Sequence, residues 1–219
     1  VFNWQDPSNA SATGSCYGIF SGNHWNQDPS CNEGILLRST VDIGATKLNH
    51  VSITNAYGLP RWVSDISEVR YGALVAEGAS PTMTALKFEG INTTSLLILD
   101  LARPDIVGGE FTVGDDATSL IGSAIQAYGA GSAVQPLSII APVFTGTSNG
   151  CGQSDDGRHV LWVEESYVDV QNAVIASGDY GIRLDDSAGL VTSSTIDTTC
   201  NGIDVNNKKT AGNNVAYKL

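Results

Sequence analysis

Charged side chains are scarce in this sequence, and basic ones are the scarcest. Only 16% of the 219 residues are charged, with 11 Lys and Arg against 23 Asp and Glu, which gives a net charge of −12. A nucleic-acid-binding protein needs a basic footprint to neutralise phosphates, and an anionic membrane surface attracts the same kind of patch. The composition therefore argues against nucleic acid and against an anionic membrane as partners.

Long apolar runs and the signatures of several enzyme classes are missing as well. The sequence has no run of 18 apolar residues, so it predicts no transmembrane helix. It has no GxSxG, HExxH, P-loop or dinucleotide-binding motif. Of its 3 histidines, only His159 borders charged residues. A Ser-His-Asp triad therefore has no local support.

The four cysteines lack the close spacing that zinc sites use. Cys16, Cys31, Cys151 and Cys200 form no CxxC pair, so a zinc site is not predicted. An even cysteine count is typical of an extracellular or virion protein. We favour the disulfides Cys16–Cys31 and Cys151–Cys200. The other two pairings, and four buried thiols, remain alternatives.

The sequence does contain a short strand pattern that is repeated three times. Leu161, Ile182 and Ile203 are 21 residues apart, and each begins a triplet in which two aliphatic residues flank one outward residue. Alternation with a period of two is typical of a strand with one buried face. A repeat of this length is too short for a propeller blade or a helix pair, and it fits one coil of a solenoid.

The pattern extends towards the N terminus and defines the domain organisation. A second strand type carries Phe111, Phe144 and Ile175 at equivalent places. Gly, Asn, Asp, Ser and Thr lie between the strands, as tight turns require. The sequence predicts about six to seven coils. The predicted parts are an irregular, disulfide-stapled N-terminal cap at 1–33, an all-β solenoid at 34–207 and a C-terminal tail at 208–219.

These strands and their spacing resemble the right-handed parallel β-helix, the pectin-lyase-like fold of pectin and pectate lyases and of phage tailspike and receptor-binding proteins. The resemblance covers residues 34–207 and depends on period and pattern. It implies a single-stranded solenoid of parallel sheets, and the phage proteins imply a homotrimer. Trp162 and Ile98, predicted to point outward, would then pack against neighbouring chains.

Long insertions interrupt the coils on one side, at 56–70, 114–122 and 147–158. Insertions that share one side of a solenoid usually form its binding face. Aromatic rings there would stack on sugars, and charged groups would bind hydroxyls or acidic substituents. Solvated loops whose Trp rings cover the core are an equal alternative. The predicted carbohydrate-binding residues are Arg61, Trp62, Asp155, Asp156, Arg158, His159, Trp162 and Arg183.

Polar residues close the predicted strands and should stack from coil to coil. Adjacent coils lie about 4.8 Å apart, so Glu164 with Asp185, and Glu165 with Asp186, are predicted carboxylate pairs. Paired carboxyl groups are what glycosidases use, and stacked acids also suit calcium. Turn residues that point into water are the alternative. The first predicted ladder is Asp100, Tyr128, Glu164, Asp185 and Asn206, and the second is Glu77, Glu165, Asp186 and Asn207.

Three functions are consistent with these features. The first is recognition of cell-surface carbohydrate by an extracellular or virion protein of the tailspike type. The second is a glycan depolymerase that uses Glu164, Glu165, Asp185 and Asp186; the resemblance to lyases implies an alternative in which acids of the ladder bind calcium and Arg183 acts as the base. The third is a structural subunit of a virion or filament. No resident cofactor is predicted, and calcium is the one ion that the acidic ladder suggests.

Overall fold

A computed structural model shows that the described part of the chain is built from strands. None of the described residues lies in a helix, and so they include no apolar helix of a length that could span a membrane. The described residues are 2–3, 19–21, 24–26, 34–39, 46–54, 56, 58–64, 66–91, 93–113, 122–146, 159–176, 179–198 and 200–206.

The strands are short and follow one another in a regular order. They are Phe2–Asn3 (β1), Ile19–Ser21 (β2), His24–Asn26 (β3), Ile35–Arg38 (β4), Lys47–Asn49 (β5), Ser52–Thr54 (β6), Leu59–Val63 (β7), Glu68–Glu77 (β8), Thr82–Thr84 (β9), Lys87–Glu89 (β10), Thr94–Leu99 (β11), Asp105–Val107 (β12), Glu110–Thr112 (β13), Ile125–Tyr128 (β14), Leu137–Ile140 (β15), Val143–Thr145 (β16), His159–Glu164 (β17), Tyr167–Gln171 (β18), Val174–Ala176 (β19), Tyr180–Asp185 (β20), Ala188–Thr192 (β21), Thr195–Asp197 (β22) and Asn201–Asn206 (β23).

Three parallel sheets run along the solenoid, and each coil contributes one strand to each sheet. The first sheet has the order β4-β8-β11-β14-β17-β20-β23, the second β5-β9-β12-β15-β18-β21, and the third β1-β6-β10-β13-β16-β19-β22. Two antiparallel pairs, β2 with β3 and β7 with β8, lie outside this pattern. The predicted all-β parallel solenoid is confirmed, with six coils and a further strand, β23, in the described residues.

The core lies between the three sheets and is made of stacked apolar side chains. Leu161, Ile182 and Ile203 are direct partners in the first sheet, as the 21-residue repeat predicts. In the third sheet Phe88, Phe111 and Phe144 stack with ring centroids 5.3 and 5.5 Å apart. Each coil therefore buries its apolar face against the coils above and below it, and the stacking fixes the register.

Two columns of tight turns join the sheets. Between the first and second sheets, Glu165 and Asp186 have φ of 49° and 46°, and between the second and third sheets Asn172 and Ser193 have φ of 53° and 51°. The left-handed region disfavours most side chains, but short polar residues such as Asn and Asp enter it more readily. The polar residues that close each predicted strand thus make the corners of the solenoid.

The structure corrects the predicted ladders in the third coil. Leu99, and not Asp100, pairs with Tyr128, and Leu99 also pairs with Glu77. Glu77 therefore belongs to the ladder of Tyr128 and Glu164, whereas Asp100 lies one residue further on, at the left-handed turn. The prediction that Ile98 points outward is wrong. Its side chain is buried in the core between the sheets.

Candidate functional site

The insertion at residues 56–70 forms a β-hairpin against the first sheet. Strand β7 pairs with the first half of β8 in antiparallel register, with Arg61 opposite Arg70 and Trp62 opposite Val69. Because side chains alternate along a strand, Arg61 and Trp62 point to opposite faces of this hairpin. One face lies against the solenoid and the other lies in solvent.

The inward face of the hairpin covers the outer face of the first sheet. Val63 is buried in an apolar cluster with Val75, Leu97 and Leu99 of the sheet. Beside this cluster, Arg61 makes an ion pair with Glu77, with 3.1 Å between Nε and Oε2. Apolar burial and a charged contact therefore both fix the hairpin to the solenoid.

Trp62 occupies the outward face of the hairpin, and 62% of its surface is exposed. An indole ring is a large apolar surface whose exposure costs free energy unless something binds to it. Of the predicted carbohydrate-binding residues in the described part of the chain, Trp62 is the one whose ring is open to solvent.

Arg70, on the same hairpin, reaches across to the middle of the solenoid. Its Nε donates a hydrogen bond to the Tyr128 hydroxyl at 3.0 Å, and its Nη1 lies 2.6 Å from the Glu68 carboxylate. Burial raises the pKa of Tyr128 to about 12, although the Arg70 charge and its hydrogen bond act in the opposite direction. Tyr128 is therefore a neutral, buried hydroxyl in the folded protein.

Two guanidinium groups lie over the ring of Trp162 on the outer face of the first sheet. Arg70 is 5.4 Å and Arg183 is 4.7 Å from its ring centroid. The indole N–H donates a hydrogen bond to Asp185 Oδ2 at 3.2 Å. Guanidinium groups are attracted to the negative face of an indole, and the attraction grows when water is excluded.

Asp185 holds this arrangement together from the adjacent strand. Its Oδ2 also accepts a hydrogen bond from Arg183 Nε at 2.9 Å, and the Asp185 side chain has no exposed surface. A buried carboxylate is tolerated when a cation and hydrogen-bond donors compensate its lost hydration. We call Arg70, Tyr128, Trp162, Arg183 and Asp185 the outer-face cluster.

The predicted catalytic acids occupy two different environments. Glu164 and Asp185 are direct partners in the first sheet and are both buried, so the predicted stacking of this pair is confirmed. Glu165 and Asp186 are partly buried and lie at the left-handed corner that follows each strand. Asp185 is engaged by Arg183 and Trp162, so the corner pair is the more accessible one.

His159 lies at the start of β17, next to the outer-face cluster. Its ring is buried and stacks on Tyr180 of the next coil with centroids 4.9 Å apart, and it lies 6.1 Å from the Trp162 ring. The structure therefore brings His159, Trp162, Arg183 and the Glu164–Asp185 pair onto one face of two adjacent coils. Arg61 and Trp62 lie on the hairpin, with Trp62 turned away from this face. Asp155, Asp156 and Arg158 lie outside the described residues.

Burial of Trp162 within its own chain corrects one prediction. Its surface is 3% exposed, and it contacts Arg70 and Arg183 of the same molecule. A neighbouring chain is not needed to cover it. Since Ile98 is also internal, neither residue supports a trimer, and the oligomeric state stays a prediction.

The sequence did not single out Arg70 and Tyr128 as partners. The predicted strand register places Tyr128 beside Glu164, and Arg70 lies in the insertion at 56–70. Arg70 and Tyr128 are 58 residues apart in the sequence. The hairpin, which packs against the sheet, brings them together. An Arg in an insertion and a Tyr on an outward strand position are too common to predict that contact.

The structure describes one of the four cysteines. Cys200 is disulfide-bonded. Cys16, Cys31 and Cys151 lie outside the described residues, so the pairing stays a prediction. The described part of the chain contains no group of three or more acidic, His or Cys side chains arranged to hold a metal ion.

Comparison with known proteins found no relative of this chain. No family model matches it, and no curated protein or solved structure shows significant similarity. The parallel solenoid is therefore shown by the pairing of its strands, and no pectin-lyase or tailspike protein matches the chain.

Proposed function

We propose that this protein is an extracellular or virion β-helix that recognises cell-surface carbohydrate, with the hairpin of β7 and β8 as a contact point. The observation that carries the proposal is the exposed ring of Trp62 on a hairpin whose other face is fixed to the solenoid. A fixed, exposed aromatic ring binds a sugar face with little loss of conformational entropy.

The surroundings of Trp62 fit a neutral or weakly charged glycan. The hairpin turn contributes Ser64 and Ser67, which are exposed and carry hydroxyl groups for hydrogen bonding. The net charge of −12 disfavours a polyanionic glycan that is not bridged by a cation.

A glycan array tests this proposal with two matched aromatic substitutions. Trp62→Ala removes the hairpin ring, whereas Tyr167→Ala removes an exposed ring on the second sheet. We expect Trp62→Ala to weaken binding at least about tenfold, as for other central aromatic contacts. Tyr167→Ala should bind as the unsubstituted protein does. Absence of binding to any glycan, or equal loss in both variants, would contradict the proposal.

A second candidate is a glycan depolymerase, which the direct pairing of Glu164 with Asp185 favours. The backbones of adjacent parallel strands are about 4.8 Å apart, a spacing that would allow the two carboxyl groups the separation of about 5–5.5 Å used by retaining glycosidases. Release of reducing ends from capsular or O-antigen polysaccharide, lost in Glu164→Gln, would support hydrolysis. An unsaturated, ultraviolet-absorbing product would indicate elimination, with Arg183 as the candidate base.

A structural subunit of a virion or filament is the third possibility, and the internal pairing of the outer-face cluster favours it. Both guanidinium groups and the Asp185 carboxylate already have partners within the chain. A protein that binds no glycan on the array and releases no sugar from these polysaccharides would have this role.

A further inference from the structure

The outward face of the hairpin carries more than Trp62. The register of β7 and β8 places Trp62 opposite Val69, and Pro60 opposite Tyr71. Residues directly opposite each other in an antiparallel pair share a face, and successive pairs alternate between the two faces. These four side chains therefore lie together on the face turned away from the sheet, where Trp62 is exposed and the other three are partly exposed. We call these four residues the hairpin platform.

The hairpin platform is uncharged, because the basic residues of the hairpin lie on its other face. Arg61 and Arg70 are opposite each other in the same register. Arg61 Nε lies 3.1 Å from the Glu77 carboxylate, and Arg70 Nε donates a hydrogen bond to the Tyr128 hydroxyl at 3.0 Å. An acidic sugar needs a cation beside its carboxylate or sulfate group. The platform offers none among its four residues, so it fits an uncharged ligand.

Pro60 disfavours a further protein strand as the occupant. Within the described residues, β7 pairs with β8 alone, so an added strand would pair along its other edge. Proline has no N–H, and on an edge strand it discourages such pairing. This favours a ligand that contacts the side chains of the platform, as a glycan does.

The two aromatic residues of the platform occupy diagonal positions across the hairpin. Tyr71 lies two residues beyond Val69, which is the direct partner of Trp62. Diagonal residues of an antiparallel pair are about 7–8 Å apart, a distance that aromatic side chains can span. Burial raises the pKa of Tyr71, so its phenol is uncharged like the rest of the platform. A sugar unit that stacks on Trp62 leaves Tyr71 to contact the next unit of the same chain.

We propose that the hairpin platform binds two consecutive units of an uncharged oligosaccharide, with Trp62 and Tyr71 as adjacent stacking positions. The proposed recognition of carbohydrate, on which this site depends, thereby gains a substrate class and a second binding residue. Once one unit is bound, the second contact is intramolecular and costs less association entropy. Affinity should therefore rise when a single sugar is replaced by a disaccharide.

Calorimetry with oligosaccharides of one to four units tests the site in the unsubstituted protein. The neutral series are gluco-, manno- and chito-oligosaccharides, and oligogalacturonates are the acidic series. In at least one neutral series we expect affinity to rise about tenfold from one unit to two, and the oligogalacturonates to bind more weakly than that series. No binding by any neutral series, no rise from one unit to two, or stronger binding of oligogalacturonates would overturn the proposal. Absence of binding to every glycan on the array would overturn the proposed function as well.

Two substitutions at Tyr71 separate the ring from its packing. Tyr71→Leu keeps an apolar side chain without a ring, and Tyr71→Phe keeps the ring; thermal midpoints check that each variant is folded. In Tyr71→Leu the rise from one unit to two should fall below about threefold, whereas Tyr71→Phe should keep it. Trp62→Ala should weaken binding of both lengths.

A full rise in Tyr71→Leu, together with loss of binding in Trp62→Ala, would remove the second position and leave the proposed function standing. Sedimentation of the same variants checks the other occupant. Self-association that both Trp62→Ala and Tyr71→Leu abolish, in a chain that binds no oligosaccharide, would overturn the proposal and assign the platform to a second copy of the protein.

Discussion

The outer face of the first sheet is buried in two different ways along its length. In the second and third coils its outward side chains are Val75, Leu97 and Leu99, and the apolar side of the hairpin covers them. In the fifth and sixth coils they are Trp162, Arg183 and Asp185, which satisfy one another by an ion pair, a hydrogen bond and a cation–π contact.

The difference shows how one sheet can accept either kind of surface. The apolar half gains stability from each side chain separately, in proportion to the area removed from water. The polar half is buried without large penalty only while every partner is present, because an unpaired buried charge loses its hydration and gains nothing in return. Substitutions in the polar half should therefore have larger and less additive effects.

The largest effect is expected from Asp185→Ala. It removes the partner of the buried Arg183 guanidinium and the acceptor of the Trp162 N–H. We expect a loss of about 3–5 kcal/mol in the free energy of unfolding, measured with denaturant. Asp186→Asn, one residue later at a partly exposed corner, is the matched control, because Asn tolerates the left-handed φ of this position. Similar losses in both variants would show that the cluster adds nothing to stability.

Leu97→Ala in the apolar half should have the next largest effect. The side chain is fully buried between the sheet and the hairpin. Its removal should cost about 3 kcal/mol in the free energy of unfolding. Leu190→Ala, on an exposed position of the second sheet, should cost less than about 1 kcal/mol. A loss at Leu97 as small as that at Leu190 would mean that the hairpin does not cover the sheet in solution.

The pH dependence of stability should reveal the neutral Tyr128. Its pKa is raised from 10.0 to about 12. Below pH 10 the Tyr128 hydroxyl keeps its proton in both the folded and the unfolded chain. Its contribution to stability is therefore complete and independent of pH in that range. Between pH 10 and about 12 the unfolded chain releases it first, so stability should fall by about 1.4 kcal/mol per pH unit.

Tyr128→Phe should flatten this alkaline slope in denaturation curves recorded from pH 9 to 12. Tyr167→Phe, on an exposed ring of the second sheet, should keep the slope of the unsubstituted protein. An unchanged slope in the Tyr128→Phe variant would mean that the Tyr128 hydroxyl is exposed to water in the folded protein.

The smallest effect is expected from Glu68→Ala. Glu68 lies at the border of the two halves and makes an ion pair with Arg70, but its side chain is 55% exposed. We expect a loss below about 1 kcal/mol, since solvent screens exposed pairs. Arg70 keeps its hydrogen bond to Tyr128 in this variant, and the Glu68 charge is the smallest of the causes that raise the Tyr128 pKa, so the alkaline slope should change little. A larger loss would mean that Glu68 positions Arg70.

The coil repeat was predictable from the sequence, but the contacts across the outer face were not. The columns of Leu161 and Ile175 follow from a constant 21-residue step. In the third coil every residue of Thr94–Leu99 is buried, so the alternation that marks the two faces is lost. A one-residue shift then reverses the faces, which is why Ile98 and Asp100 were misplaced.

The cluster required a different kind of information. Arg70 contacts Trp162 and Tyr128 because a hairpin folds back over the sheet. No local period in the sequence encodes that contact. The sequence identified several residues of the outer-face cluster as candidates, but it did not predict which of them contact one another.

The two columns of left-handed turns limit which insertions and deletions this protein can accept. A single residue inserted near the start of a strand such as β20 would turn Ile182 to the outer face of the sheet. It would also shift the pairing register of the residues that follow it in that strand. Gain or loss of a whole winding keeps both corners aligned and leaves the neighbouring hydrogen-bond ladders intact. Homologous proteins should therefore differ by complete coils or by loops that follow the third sheet, and seldom by one residue within a strand.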